Sequence, residues 1–169
     1  MNKFRLLAVA LIFIFAGTAF AQDLKFGHIN MQELILELPE KKAADEKLQA
    51  EAQTLQNRMQ KMSEEHEAKF KEYIAERETM PELIRTTMEK EIQDIEQRLQ
   101  NYQMMAQQTL AKKEQELYQP ILEKIQKAID VVGQKNGLIY IFDVSSQVVL
   151  YHSDKSIDCG ELVKAELQN

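Results

Sequence analysis

Apolar residues along the middle of the chain recur at alternating steps of three and four, on a background of good helix formers from about Pro39 to Lys135. One extra residue near His66 breaks the strict heptad, which relaxes the left-handed supercoil. So narrow an apolar stripe predicts a coiled-coil seam on each of two long helices. The predicted seam residues are Leu55, Met59, Met62, Met88, Ile92, Ile95, Leu99 and Ala106.

The segment Thr79–Glu82 interrupts this pattern. Thr79 and Glu82 have the spacing of a capping box, and Pro81 is tolerated only in the first turn of a helix. The chain is therefore predicted to reverse near residue 80, forming an arm of residues 39–117 with its tip at 79–82. Reversal places apolar residues opposite each other: Tyr73 with Met88, Phe70 with Ile92, Met62 with Leu99, Met59 with Tyr102 and Leu55 with Ala106. A single helix kinked at Pro81 gives no reason for that match.

The residues on either side of the arm have a different pattern. Leu24–Ile29 alternates in polarity as a strand does, and Asn30 is placed to cap a short helix. Asn136–Gly137 is typical of a helix C-terminus. The apolar run Leu138–Phe142 then predicts a second strand.

The end of the chain is predicted to return to the sheet. Val148–Tyr151 favours a third strand, and Asp158 with Glu161 favours a capped final helix ending at Leu167. The fold class is thus mainly α with a small β body. Its long antiparallel hairpin is inserted in an α+β domain of residues 22–38 and 118–169.

This small body is expected to be an oligomerisation domain. Three short strands bury little core, and a strand that is apolar on both faces requires cover on both. Association of several copies supplies that cover. The residues expected at the contact between copies are Phe26, Ile139, Ile141, Val148 and Leu150.

The N-terminus has the features of a cleavable secretory signal peptide, residues 1–21. Lys3 and Arg5 precede the apolar run Leu6–Phe15, and Ala19-Phe20-Ala21 fits signal peptidase. A membrane anchor is the alternative, but this run is shorter than the roughly 20 residues that span a bilayer. The mature chain would begin at Gln22 and be soluble and exported.

Charge and composition argue against several functions. The net charge of -6 becomes -8 when the two cations of residues 1–21 are removed, which disfavours nucleic acid as a partner. The 5 glycines never cluster, so a phosphate-binding loop is excluded. Cys159 stands alone, and a small buried residue is the preferred interpretation over a reactive thiol.

No arrangement of side chains predicts an enzyme. His28, His66 and His152 lack metal-binding spacing, although pairing of strands could bring His28 and His152 together. No nucleophile with a neighbouring base is evident. We therefore expect no cofactor, no metal and no catalysis.

The order of these parts resembles the Skp (OmpH-type) family of periplasmic chaperones. The resemblance starts with the signal peptide and extends over essentially the whole mature chain, through segments that are individually loose in sequence. These segments are Phe26–Asn30, Met31–Ile35, Leu38–Glu40, Tyr118–Ile121 with Ile125, Ala128 and Ile129, and Lys135–Gly137 with the strand up to Asp143.

The resemblance implies a jellyfish-shaped homotrimer whose helical arms enclose a cavity. It implies ATP-independent holding of unfolded outer-membrane proteins in the periplasm. Pro120 is expected to kink the second helix where the arm meets the body. Some family members are strongly basic, whereas this chain is acidic, so no residue is assigned to lipopolysaccharide or a membrane surface.

A chaperone of this kind requires flexible apolar side chains that adapt to many partners. Met104 and Met105 lie in Leu99–Ala111, which carries no charge. Together with Tyr102 they cannot all face a single seam, so Met104 and Met105 are the first candidates for contact with a client, that is, an unfolded protein. The further candidates are Tyr102, Phe70, Tyr73, Ile74 and Met80.

Two other functions fit parts of the pattern. A structural coiled-coil spacer or adaptor of the cell envelope would have a regular seam, a polar exterior and one defined partner. The uncharged methionine-containing stretch and the broken heptad favour the chaperone. An efflux-adaptor hairpin would require a lipoyl-like barrel and more β residues than this chain supplies.

Overall fold

The structure, a computed structural model, describes residues 24–168, so the predicted signal peptide lies outside the described residues. Two helices dominate these residues, one of 38 residues and one of 55. The elements in chain order are β1 (Lys25–Ile29), α1 (Met31–Glu37), α2 (Pro39–Glu76), α3 (Glu82–Asn136), β2 (Leu138–Asp143), β3 (Ile157–Asp158) and α4 (Gly160–Leu167).

The sheet has three parallel strands in the order β2-β1-β3. β1 is therefore central and pairs on both sides, with Phe26 opposite Tyr140 and His28 opposite Phe142. On its other edge, the backbone N–H of Cys159 donates to the carbonyl of His28 at 2.8 Å. The N-terminal strand is thus enclosed by strands from the other end of the chain.

The hydrophobic core lies between this sheet and helices α1, α3 and α4. Ile125, Cys159 and Val163 are fully buried there, and Ile29 is almost so. The buried members of the core are Ile29, Leu34, Leu38, Ile125, Ala128, Val132, Cys159, Val163 and Leu167. The mainly α fold with a small β body is confirmed.

The predicted antiparallel hairpin is also confirmed. α2 ends at Glu76, α3 begins at Glu82, and the two helices lie side by side. Tyr73 Oη donates to Glu89 at 2.7 Å, and Lys69 Nζ lies 3.0 Å from a carboxylate oxygen of Glu91. These contacts follow the register predicted from the apolar residues.

Two helix caps in the body form at the residues where the sequence predicts them. Asn30 Oδ1 accepts the backbone N–H of Glu33 at 3.1 Å, while Asn30 Nδ2 donates to that glutamate's carboxylate at 3.2 Å. At the end of α3, Gly137 has a φ of 63°, a conformation that favours glycine. Pro120 lies inside α3, as predicted.

The predicted capping box at the arm tip was wrong. Pro81, with a φ of −58° and ψ of 144°, is itself the N-cap of α3, and no side chain caps that helix. A proline restricts the residue before it to extended conformations, so a helix cannot start at Thr79. The Thr79 hydroxyl instead donates back to the carbonyl of Glu76 at 3.0 Å.

The predicted third strand was placed wrongly. Residues 148–151 form no strand, and the short strand β3 lies further along the chain. After β2 the chain leaves the sheet through a turn in which Ser145 bonds to Asp143 and Gln147 has a φ of 58°. The only edge of β1 that remains is then taken by Ile157–Asp158.

The cap of the final helix differs slightly from the prediction. α4 starts at Gly160 with Cys159 as its N-cap, and no side-chain cap bond forms. Asp158 accepts the backbone N–H of Gly160 at 2.9 Å, and Glu161 lies in the first turn. Asp158 cannot be the N-cap because its backbone is still paired in β3.

Candidate functional site

The seam between the two arm helices is thin. Of the predicted seam residues, only Met88, Ile92 and Ile95 are buried in the chain described. The others are half-buried, namely Leu55, Met59, Met62, Leu99 and Ala106. Two helices alone shield only one line of side chains, so the remaining surface of each helix faces solvent.

Polar contacts flank this seam near its outer half. His66 Nε2 lies 3.1 Å from Glu96, and the pKa of Lys69 is raised by its hydrogen bond to Glu91. The hydrogen bond to Glu89 likewise raises the pKa of the Tyr73 phenol. The three glutamates are exposed and their partners only half-buried, so each contact adds little stability and serves mainly to keep the register.

The middle of α3 presents the two adjacent methionines to solvent. The side chain of Met104 is 58% exposed and that of Met105 is 62% exposed. Tyr102 is half-buried beside them. The stretch that the sequence shows to be uncharged therefore has apolar side chains on its surface.

A second exposed apolar patch lies near the arm tip. Phe70 and Ile74 are exposed, while Tyr73 and Met80 are half-buried. Tyr73 is also held by its bond to Glu89, which leaves its ring less free to turn.

Leu83 and Ile84 add to the tip, with exposures of 76% and 49%. They were not among the candidates. Their position directly after the proline turn, where the facing helix has already ended, was the pattern that could have identified them.

The two arm patches are separate surfaces. Met104 lies roughly 22 Å along α3 from Glu89, the partner of Tyr73, at a rise of 1.5 Å per residue. Together they give the arm two apolar areas separated by a polar stretch that includes Lys90, Glu91 and Arg98.

The body carries an exposed aromatic face on the sheet. The ring centroids of Phe26 and Tyr140 are 6.4 Å apart with planes 3° from parallel, and Phe142 lies 6.4 Å from Phe26. Tyr140 and Phe142 were not predicted, although alternation along β2 places them on one side. Ile139 is exposed as well, at 47%.

The other predicted oligomer residues are placed differently. Ile141 packs against the hydrophobic core, because it lies opposite Gly27 on the inner side of the sheet. Val148 and Leu150 are 81% and 92% exposed, outside any strand. A cavity of about 490 Å³ separates the aromatic face from the segment containing Val149 and Tyr151.

The structure brings His28 and His152 together, with ring centroids 4.0 Å apart. His28 Nδ1 lies 3.0 Å from the Ser156 hydroxyl. Within residues 24–168, no cluster of three or more potential metal ligands was found. Cys159 is fully buried, and burial together with the neighbouring Asp158 raises the pKa of its thiol. A neutral, enclosed thiol is a poor nucleophile.

A polar cluster joins the two helices where the arm meets the body. Lys41 bonds to Asp45 at 2.6 Å, Tyr118 Oη donates to the same carboxylate, and Lys124 lies 2.7 Å from Glu40. The bonds from Lys41 and Tyr118 lower the pKa of Asp45, and the bond from Lys124 lowers that of Glu40. We call these five residues the arm-base cluster.

None of the helices in the described part of the chain is both long and apolar enough to traverse a bilayer. The long helices α2 and α3 alternate their apolar residues with charged ones instead.

Comparison with known proteins finds relatives that are described as the chaperone protein Skp. The chaperone protein Skp of Photorhabdus luminescens is 28% identical over 148 residues, covering 88% of each chain. Skp of Photorhabdus laumondii is 26% identical over 122 residues, covering 72% of this chain and 74% of its own.

The fold has a counterpart among solved structures. The crystal structure of an OmpH-like protein from Caulobacter crescentus superposes with a TM-score of 0.74 at 15% identity, covering 85% of this chain and 83% of its own. The family described as outer membrane protein (OmpH-like) matches residues 25–167, which span every element of the fold. This chain therefore belongs to the OmpH-like family, the family of the Skp chaperones.

Proposed function

We propose that the protein is an ATP-independent holdase of the periplasm that binds unfolded outer-membrane proteins and prevents their aggregation. Family membership supports a chaperone, and the predicted signal peptide supports export. The observation that carries the mechanism is the exposure of Met104 and Met105 in an uncharged stretch of the arm. Such a protein requires no cofactor and catalyses no reaction.

Methionine suits a surface that must accept many sequences. Its unbranched chain and polarizable sulfur repack around varied apolar partners, giving many weak contacts. The surface around Met104 and Met105 and the patch around Tyr73 near the arm tip are roughly 22 Å apart along the helix. An extended client segment of about seven residues spans that distance. Two separated weak contacts hold a client while leaving each contact free to exchange.

The cavity for the client requires several arms, which we propose come from a homotrimer joined through the body. The exposed stack of Phe26, Tyr140 and Phe142 supports association, as do the exposed Val148 and Leu150. Burying this aromatic face between copies removes apolar surface from water.

Sedimentation of the mature chain at micromolar concentration tests this assembly. We expect a trimer, and we expect Tyr140→Glu with Phe142→Glu to dissociate it. Leu36→Glu, at an exposed apolar residue of α1, is the matched control and should leave it intact. A stable monomer of the unaltered chain would contradict the proposal.

Apolar contact rather than charge is proposed to select clients. The chain is acidic, and several arm cations, among them Lys69 and Lys71, pair with neighbouring carboxylates. Association steered by charge weakens steeply with salt, whereas apolar contact does not. Client holding is therefore expected to persist at raised ionic strength, and no lipopolysaccharide or membrane-surface contact is proposed.

Light scattering of an unfolded outer-membrane porin, without ATP, tests the holdase. We expect the mature protein to suppress aggregation, and Met104→Glu with Met105→Glu to weaken suppression. Gln107→Glu with Gln108→Glu adds the same charge to exposed polar positions of the same stretch and serves as the control. Equal loss in both pairs would show a general charge effect instead.

A structural spacer of the envelope is the competing function. The buried Met88, Ile92 and Ile95 and the polar contacts that flank them favour a rod of fixed register. If excess protein leaves porin aggregation unchanged, the holdase proposal fails and the spacer becomes the better interpretation.

A further inference from the structure

The arm methionines differ sharply in their access to solvent. Met88 is 8% exposed in the seam, whereas Met104 and Met105 are 58% and 62% exposed on the same helix. Met59, Met62 and Met80 lie between these extremes. Access of an oxidant to the thioether sulfur governs how fast a methionine is oxidised. One helix therefore contains both protected and accessible methionines.

We propose that Met104 and Met105 are a modification site, at which oxidation to methionine sulfoxide reversibly switches off client binding. The oxidants are two-electron oxidants of the hypohalous acid class. In the net reaction, the thioether sulfur loses two electrons and gains the oxygen atom of hypochlorous acid. The oxygen–chlorine bond breaks, and chloride and a proton are released. The switching effect, unlike the modification itself, rests on the proposed function.

Because Met104 and Met105 are exposed on the arm, their oxidation should weaken client binding without disturbing the fold. A sulfoxide is polar, so an apolar client contact would have to bury an acceptor without a partner. In the unbound arm both side chains already face water, so the added oxygen there costs little. Met88 remains shielded, and the seam that it forms with Ile92 and Ile95 stays apolar.

Mass spectrometry of the mature protein after limited hypochlorous acid tests the site directly. We expect Met104 and Met105 to be oxidised about ten times faster than Met88 in the folded protein, because reactivity follows exposure. In denatured protein the three rates should converge. Equal rates in the folded protein would overturn the proposal, and this result does not depend on any chaperone activity.

The aggregation assay tests the consequence. We expect oxidised protein to hold an unfolded porin about tenfold more weakly, with unchanged helical circular dichroism, and a methionine sulfoxide reductase to restore holding. Met104→Leu with Met105→Leu removes the sulfur atoms, so oxidant treatment should lower its holding little relative to the same variant before treatment, whatever that starting level is. Met88→Leu is the matched control and should stay sensitive.

The outcomes separate the two proposals. Full conversion of Met104 and Met105 with undiminished holding would overturn the switch, as would equal loss in the leucine pair and the unaltered protein. Failure of the untreated protein to suppress aggregation would instead refute the holdase, while the oxidation map would still decide the modification site.

Discussion

The body and the arm of this protein are stabilised in different ways. In the body, Ile125, Cys159 and Val163 are fully buried by a sheet and three helices. In the arm beyond its base, only Met88, Ile92 and Ile95 are buried among the described residues. The body encloses a core between one face of its sheet and its helices, whereas the arm shields a single line of apolar residues.

Because of this difference, the body is the more stable region and the arm is the more adaptable one. Local opening requires little free energy where few apolar contacts are lost, and segments that bind varied partners are drawn from such regions. The arm can therefore open or bend while the body remains folded. Substitutions and pH changes should therefore affect the body and the arm differently.

Truncation of a buried isoleucine should cost far more in the body than in the arm. Ile125 and Ile95 are 0% and 3% exposed, so they form a matched pair. We expect Ile125→Ala to lower the free energy of unfolding by about 4 kcal/mol, because it leaves an enclosed cavity. Ile95→Ala should cost about 2 kcal/mol, the transfer contribution alone, since two helices can close together. Denaturant unfolding measures both, and equal losses would refute the distinction.

A methyl group added at Gly27 should show how tightly the body is packed. A Cβ at that position would lie 2.6 Å from Cys159 Sγ and 3.0 Å from Leu138 Cδ1. We expect Gly27→Ala to destabilise the protein by about 1–3 kcal/mol through overpacking.

The close contact between a Cβ at residue 27 and the sulfur of Cys159 can also be relieved by a change at Cys159. Cys159→Ala removes the sulfur, so in the double variant the cost of Gly27→Ala should be smaller than in the unaltered protein. Thermal unfolding of the four proteins of this cycle gives the coupling. Strict additivity would mean that the contact between Gly27 and Cys159 does not limit the packing of the sheet.

The arm-base cluster should contribute a small, pH-dependent stability. The pKa values of Glu40 and Asp45 are lowered in the folded state, so both favour folding above their ordinary range near about 4 and lose that effect as the pH falls through the folded pKa. Protection factors for amide exchange around residues 40–45, which remove the intrinsic pH dependence of exchange, should therefore fall between about pH 5 and pH 3.

Both groups are exposed, so the change should be small and weaker in salt. Glu40→Gln with Asp45→Asn should abolish the pH dependence. Glu67→Gln is the control, because Glu67 pairs with Lys71 within α2 and does not join the two helices. An unchanged pH profile in the double variant would exclude the cluster as its source.

The sequence predicted the parts of the fold that are set by local or repetitive pattern. The apolar stripes identified both arm helices and their register, because one proline turn fixes which residues face each other. Asn30 and Gly137 were recognised because caps depend on a few neighbouring atoms.

The remaining errors concern pairing between distant segments. Val148–Tyr151 has the composition of a strand, but pairing depends on which edge of β1 is free, and Ile157–Asp158 takes it. Likewise, the inward position of Ile141 follows from its register with Gly27, which no local pattern encodes.

Of the candidate site, exposure of Met104 and Met105 could be predicted from helix geometry, whereas the aromatic stack of the body required the pairing of β1 with β2.

The central place of β1 has a consequence for how the chain reaches its native state. Among the described residues, β1 has strand partners only at residues 138–143 and 157–158, so its sheet cannot be completed before residue 158 is available. The hairpin, in contrast, needs only neighbours across one turn and can form early. A chain that ended before Ile157 would therefore keep the two long helices of the arm. Its strand β1 would have one unpaired edge, and Cys159 would be missing from the core. Completion of the sheet and of the core of the body therefore depends on residues 157–167.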